Sequence, residues 1–197
     1  GRNGSGKTTL LRILSNIYQP DSGSVETNGI VVPVLALGLG FHPDLTAITN
    51  IYQSSILLGI PKNQMAKKID AVIKFAELEK FADTKLKNFS SGMQMRLAFA
   101  TAVQVDPAVL LLDEVVAVGD LNFQKKCLAV MKDFKKRGKS IVIVSHGPSD
   151  IEKLCDRAMF LKDGIIESIG KPPEVIKSYT NFMRTQDKLP YFKKLPF

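Results

Sequence analysis

The first eight residues, Gly1-Arg2-Asn3-Gly4-Ser5-Gly6-Lys7-Thr8, meet the spacing G-x-x-x-x-G-K-[ST] at every fixed position. That spacing suits the holding of a polyphosphate. Glycines let backbone N–H groups turn inward toward phosphate oxygens, a lysine brings charge to the β- and γ-phosphates, and a threonine hydroxyl can ligate Mg²⁺. Asn3, Gly4, Ser5, Gly6, Lys7, Thr8 and Thr9 are the candidate nucleotide contacts. Farther along, Val109-Leu110-Leu111-Leu112 runs into Asp113-Glu114, and Ile141-Val142-Ile143-Val144 runs into Ser145-His146. Asp113 suits Mg²⁺, held through water. Glu114 suits the base that polarises an attacking water. His146 suits a contact with the γ-phosphate, whereas His42, in a loop before Pro43, reads as structural. A second phosphate contact is offered by Asn88-Phe89-Ser90-Ser91-Gly92-Met93. Ser90 or Ser91 can cap a helix running to about Gln104, and a helix start with a hydroxyl and the Gly92 backbone favours anions.

These groups need elements to carry them. Leu10, Leu11, Leu14 and Ile17 predict an amphipathic helix directly after the phosphate loop, its positive end toward the nucleotide. The two continuous apolar runs predict parallel strands buried on both faces, with their charged ends where open α/β sheets bind ligands. Leu121 to Lys136 reads as the helix between them, giving a βαβ unit. Val25–Thr27, Asn28-Gly29 and Ile30–Leu35 read as strand, turn and strand. Thr49–Leu58 and Met65–Leu78 read as helices, the second on Ile69, Val72, Ile73 and Ala76. Ala158–Leu161, Asp163-Gly164 and Ile165–Ile169 read as a hairpin. Pro172-Pro173 then breaks the chain before a last helix, Val175 to Arg184.

The order of phosphate loop, Ser-x-Gly helix start, strand ending in Asp-Glu and strand ending in His resembles the ATP-binding subunits of ABC transporters. The resemblance implies an α/β P-loop NTPase fold with a central, mostly parallel sheet and an inserted α-helical subdomain at roughly 47–105. It covers residues 1–182 and places further strands, and the aromatic that stacks on adenine, before Gly1. It implies ATP and Mg²⁺ as cofactors, and catalytic roles for Glu114 and His146. It also implies a head-to-tail homodimer in which Ser90 and Gly92 meet the γ-phosphate held by the other subunit. Ala117-Val118-Gly119-Asp120 stands where the family has the loop that crosses the dimer interface. The stretches Gly38-Leu39-Gly40-Phe41-His42-Pro43-Asp44-Leu45-Thr46, Asn50-Ile51 and Leu112-Asp113-Glu114-Val115-Val116 are similar to the branch that exports O-antigen, capsule and teichoic acid polysaccharides. So is Ser90-Ser91-Gly92-Met93. That branch implies a polytopic membrane permease as partner and a peripheral place on the cytoplasmic face of the inner membrane. The family's usual Gln near Leu37–Gly38 is absent, and Gln53 lies too far along to replace it.

Composition is compatible with this reading. Hydrophobic residues make up 45% and charged residues 23%, as in a globular chain. The longest uncharged apolar stretch, Ile30 to Phe41, is shorter than the ~20 residues a spanning helix needs. Cys127 and Cys155 form no CxxC and read as free thiols. The chain starts without Met or a leader-like segment, and it reads as a fragment. The net charge of +8 is concentrated at 132–139 and at 171–197, which ends in the basic tail at 183–197. Both read as solvated surface, with Phe75 and Phe81 as core. A cassette acting on ribosomes or nucleic acid is the alternative. Such proteins carry tandem cassettes or long insertions, so no nucleic acid is expected here.

Overall fold

The computed structural model describes residues 1–34, 40–113, 119–145 and 147–187. The elements are α1 (Lys7–Leu14), β1 (Val31–Val34), α2 (Ala47–Leu57), α3 (Lys62–Ala66), α4 (Ile69–Ala76), α5 (Ser91–Gln104), β2 (Val109–Asp113), α6 (Leu121–Lys136), β3 (Ser140–Val144), α7 (Pro148–Leu154), β4 (Ala158–Lys162), β5 (Ile165–Gly170) and α8 (Pro172–Asp187). The chain divides into two compact units, one of Gly1–Leu10 with Ile143–Phe197, the other of Leu11–Val142.

In the larger unit, β1 runs parallel to β2 with Val31 opposite Val109 and Val34 opposite Leu112. The sheet order is β1-β2-β3. Leu110, Leu111 and Leu112 are buried, as the continuous apolar run predicts for a central strand. β3 departs from that expectation. Its residues are half-buried or exposed, because it lies at the edge of the described sheet with only β2 beside it. The first arm of the strand-turn-strand reading is not a strand either. Residues 24–27 form no ladder, and Val25 is exposed. With one apolar residue in Ser24-Val25-Glu26-Thr27, that arm has no face to bury. Gly29 does turn the chain, at φ +95°, and a Cβ there would lie 2.8 Å from that of Ala108.

Helix α1 stops at Leu14, so Ile17 is exposed and not part of its face. Asn16 ends it in the left-handed region, φ 59°, while the N–H groups of Ile17 and Tyr18 fold back to the Arg12 carbonyl. Residues 47–104 carry α2 to α5. The predicted helix at Met65–Leu78 is interrupted: α3 ends before Lys67, and Lys68 sends its ammonium to the last carbonyl of α5, at Gln104 (2.7 Å). Ile69, Val72, Ile73 and Ala76 are buried as expected. Helix α5 is buried on all sides from Leu97 to Val103. Phe75, Phe99 and Phe123 join α4, α5 and α6 through ring pairs 5.7–6.3 Å apart. Phe81, expected in the core, is exposed instead, because it lies on the short turn after α4 and meets only Phe89 edge-on among the ring pairs of the described residues. Burial pushes the Cys127 thiol up to about 12, which makes it an inert packing group.

In the smaller unit, β4 and β5 form the expected hairpin, with Asp163 (φ 48°) and Gly164 (φ 81°) as a two-residue turn of the twist-matching kind. Phe160 packs against Tyr179 and Phe182 of α8. Pro172 and Pro173 begin α8 and do not precede it, since proline lacks only an N–H that the first turn leaves unpaired. The helix continues past Arg184 to Asp187, and residues 188–197 of the basic tail lie outside the described residues.

Asn50 organises the entry to α2. Its buried amide nitrogen lies 2.9–3.1 Å from the carbonyls of His42, Leu45 and Thr46, and its oxygen accepts the His42 N–H at 2.6 Å. His42 is thereby structural, its Nδ1 accepting from the Asp44 N–H. Asn50→Ala leaves these groups without partners at ~1–3 kcal/mol each. Urea unfolding is expected to show a loss of about 3 kcal/mol or more, and an unchanged midpoint would contradict this role.

Candidate functional site

The phosphate loop is shaped by backbone constraints. Gly4 (φ +79°) and Gly6 (φ +94°) take the left-handed conformation that turns successive N–H groups to one side. The Ser5 N–H closes the turn on the Arg2 carbonyl at 3.2 Å. Lys7 reaches back across the loop and donates to the carbonyls of Gly1 (3.0 Å) and Arg2 (2.7 Å). The tip of the β4–β5 hairpin braces the loop from behind, through the Gly164 N–H to the Ser5 carbonyl at 3.1 Å. The Asp163-Gly164 turn is readable from the sequence, but its partner Ser5 lies too far away in the chain for the brace to be.

Three observations fit this loop to a polyphosphate. A Cβ at Gly1 would run into the Leu161 carbonyl and lie 2.6 Å from the Ser5 hydroxyl, so the curl requires glycine there. The Ser5 hydroxyl is buried without a hydrogen-bond partner. Asn3, Gly4, Thr8 and Thr9, by contrast, are exposed on the loop and the first turn of α1. A concave run of amides at a helix start with a lysine beside it is an anion site.

In the larger unit, Ser90 is the cap of α5 and Ser91 its first residue, which decides between the two serines. The Ser90 hydroxyl accepts the Met93 N–H at 3.2 Å, and its own proton is left to donate outward. Gly92 faces open space: a Cβ there would meet only that hydroxyl, at 3.8 Å. Gln94 fixes the approach to the cap by donating to the carbonyls of Leu86 (3.3 Å) and Phe89 (3.5 Å). Asp113 ends β2 and is half-buried. Glu114 and His146 lie outside the described residues, as do Leu37-Gly38 and Ala117-Val118. In the smaller unit, Ser145 shapes the start of α7. Its hydroxyl accepts the Gly147 N–H at 3.0 Å and donates to Asp150 at 3.1 Å.

The basic run at 132–139 is partly neutralised. Arg137 pairs with Asp106 and Asp133, each at 2.8 Å, and Lys139 pairs with Asp106 at 3.2 Å. Among the described residues no His/Cys/Asp/Glu cluster could hold a metal unaided, and no helix is long and apolar enough to cross a membrane.

The loop geometry separates its glycines. Gly1→Ala is expected to weaken ATP binding by more than tenfold, measured by calorimetry, because backbone must move. Gly4→Ala meets open space and carries only the backbone cost of a left-handed alanine, so its effect on affinity is expected to be clearly smaller. Equal effects at both positions would contradict the packing of Gly1 on Leu161.

Comparison with known proteins agrees with this geometry. The profile of the ABC transporter family matches residues 1–117. The O-antigen export system ATP-binding protein RfbB of Myxococcus xanthus is 47% identical over 91% of this chain, and that of Klebsiella pneumoniae is 42% identical over 93%. The teichoic acids export ATP-binding protein TagH of Listeria innocua is 38% identical over 98%. The chain spans 41%, 74% and 58% of these relatives' own lengths. Among solved structures, a dimeric post-hydrolysis state of the ATP-binding cassette MJ0796 bound to ADP and Pi superposes with a TM-score of 0.74. It is 27% identical, with 87% of this chain and 83% of that one covered. An ATP-binding subunit of an ABC transporter superposes at 0.80 with 19% identity, covering 91% of this chain and 80% of its own, and shares the fold. The matched residues contain both the phosphate loop and the Ser90-capped helix, and the chain belongs to the ABC transporter family, as one of its ATP-binding cassettes.

Proposed function

We propose that this chain is the ATP-binding and ATP-hydrolysing part of an exporter that moves a polysaccharide of the O-antigen, capsule or teichoic acid type across the cytoplasmic membrane. The observation that carries the substrate class is the agreement of relatives that match more than nine-tenths of the chain. They are named for export of O-antigen and of teichoic acids. The reading includes a homodimer on the cytoplasmic face of the inner membrane, held there by a polytopic permease.

In this reading, Asn3 to Gly6 present backbone N–H groups to the phosphates, and Lys7 exchanges its loop carbonyls for the β- and γ-phosphates. Thr8 and Thr9 continue that contact on α1. The Thr8 hydroxyl and the Asp113 carboxylate are oxygen donors of the kind a hard divalent cation takes. Mg²⁺, when bound, supplies charge neutralisation of the phosphates. Glu114 polarises the attacking water, His146 holds the γ-phosphate edge, and Ser90 with Gly92 serves the nucleotide of the partner subunit. Binding of ATP favours the closed dimer, which is a population shift driven by differential affinity.

Glu114→Gln is expected to lower ATP turnover by ~10²–10⁴-fold, the range for a general base, with ATP affinity retained. Lys7→Ala is expected to remove nucleotide binding itself. Turnover unaffected by the first, or affinity unaffected by the second, would overturn those assignments. Affinity purification of the full natural protein from detergent-solubilised membranes is expected to recover a polytopic membrane subunit. Recovery of ribosomal or DNA-associated proteins in its place would overturn the exporter reading.

A further inference from the structure

The backbone nitrogen after an asparagine is the nearest nucleophile to that asparagine's own carboxamide. It can attack only where it is uncovered and has no hydrogen bond to give up. The fold protects six of the eight asparagines in this way. The N–H after Asn16 goes to the Arg12 carbonyl (2.9 Å), that after Asn63 to Pro61 (3.0 Å) and that after Asn88 to Leu86 (2.9 Å). The one after Asn122 goes to the Asp120 carboxylate at 3.0 Å. Asn50 and Asn181 lie inside α2 and α8, where the helix holds the next amide.

Asn3 and Asn28 differ from these. Each is exposed and each precedes a glycine, which has no side chain to shield its nitrogen. Among the described residues, neither carboxamide nor either following N–H has a hydrogen-bond partner. Surroundings separate the two. Gly29 is packed from behind, since a Cβ there would lie 2.8 Å from that of Ala108. Gly4 has nothing within 4 Å of the same point, so its nitrogen can swing toward Asn3. Electrostatics favours Asn3 as well. The attack builds negative charge, first on the nitrogen as its proton leaves and then on the former amide oxygen. Asn3 sits in a loop that aims N–H groups inward, opens onto the positive end of α1 and carries the Lys7 ammonium. What suits a phosphate oxygen suits that developing charge too.

We propose that Asn3 and Gly4 form a self-modifying pair that retires an empty phosphate loop. The Gly4 nitrogen loses its proton and bonds to the Asn3 Cγ. The Cγ–Nδ2 bond breaks, and ammonia leaves with that proton, closing a cyclic imide. Water then opens the ring at either carbonyl, so residue 3 ends as aspartate or isoaspartate, with no change of oxidation state. Aspartate sets a carboxylate among amides meant for phosphate, where like charge repels. Isoaspartate routes the main chain through Cγ and so lengthens the turn that the Ser5 N–H closes on Arg2 at 3.2 Å. That turn carries the Arg2 carbonyl on which Lys7 rests at 2.7 Å. A bound triphosphate stops the reaction, because the Gly4 N–H then donates to it and the positive field is already neutralised. The inference rests on the reading of Asn3 to Gly6 as phosphate contacts. Its consequence is a loop that lasts while it is in use and decays while it is empty.

The test incubates the full natural protein in three states. One is empty, one holds the non-hydrolysable analogue adenylyl imidodiphosphate with Mg²⁺, and one is unfolded in urea. Peptide mapping by mass spectrometry reads the conversion at residues 3 and 28. At about 100 times its Kd, the analogue leaves about one chain in a hundred empty. It is expected to slow conversion at Asn3 more than about tenfold and to leave Asn28 unchanged within about twofold. The fraction of chains that bind ATP in calorimetry falls in step with conversion at residue 3. Asn3→Gln, whose longer side chain closes the ring far more slowly, keeps through the incubation whatever affinity it starts with. Should that variant fail to fold, the aged natural protein decides the question alone. Asn3 intact in the empty protein once the urea-unfolded chain has converted overturns the proposal. So does conversion that the analogue does not slow, or slows equally at Asn3 and Asn28, which is global stabilisation. Converted chains that bind ATP as fresh ones do also overturn it. Fresh protein without affinity for ATP overturns the phosphate-contact reading and the protection by nucleotide, while the map of the empty protein still decides the modification.

Discussion

Room for a hydrogen atom, and for nothing larger, is what the chain has at residue 1 between the Leu161 carbonyl and the Ser5 hydroxyl. Much of the phosphate loop follows from that contact. Because residue 1 lies against β4, the loop has to curl within its own length, and Gly4 and Gly6 supply the left-handed turns that allow it. The curl brings the carbonyls of Gly1 and Arg2 within reach of Lys7, whose ammonium then holds the loop together across its mouth. The amides are thereby aimed before any anion arrives, and a site built in that way does not spend binding energy on ordering itself.

The larger unit solves a similar problem with packing. β2 is buried through Leu110, Leu111 and Leu112, and α5 is buried on every side from Leu97 to Val103. Elements gripped this firmly have little freedom to drift, and each has its polar group at an end: Asp113 at the close of β2, Ser90 at the opening of α5. Chemistry placed at the ends of rigid elements is held more accurately than chemistry on loops. The Phe75–Phe99–Phe123 cluster extends the same rigidity to α4 and α6.

Most of the site's parts were legible in the sequence because they depend on local spacing. The phosphate loop, the Ser90 cap, the Leu121–Lys136 helix and the Asp163-Gly164 hairpin turn are each specified by residues close together in the chain. Features set by partners distant in sequence were not legible. The Ile141–Val144 run reads as central, but the pattern of side chains cannot say which strands lie beside it. The break between α3 and α4 depends on Lys68 finding a carbonyl at Gln104. Arg96 has the character of a surface cation until Glu77 and Asp120, far away in sequence, are brought to it. Pro172 and Pro173 gave the wrong sign, since the same residue that stops one helix can start the next.

Tips of hairpins are ordinarily the places where a chain accepts extra residues most freely. The β4–β5 tip is not such a place, because the Gly164 amide is spent on Ser5. One residue more or fewer there would withdraw the prop from under the phosphate loop and change its curvature from behind. The turn at Gly138, after α6, has contacts of a different kind: its amide closes on the Lys135 carbonyl, and its neighbours Arg137 and Lys139 pair with Asp106. For anyone splicing a reporter or an epitope into this cassette, the exposed look of the β4–β5 tip is a poor guide, since the Gly164 amide there holds Ser5.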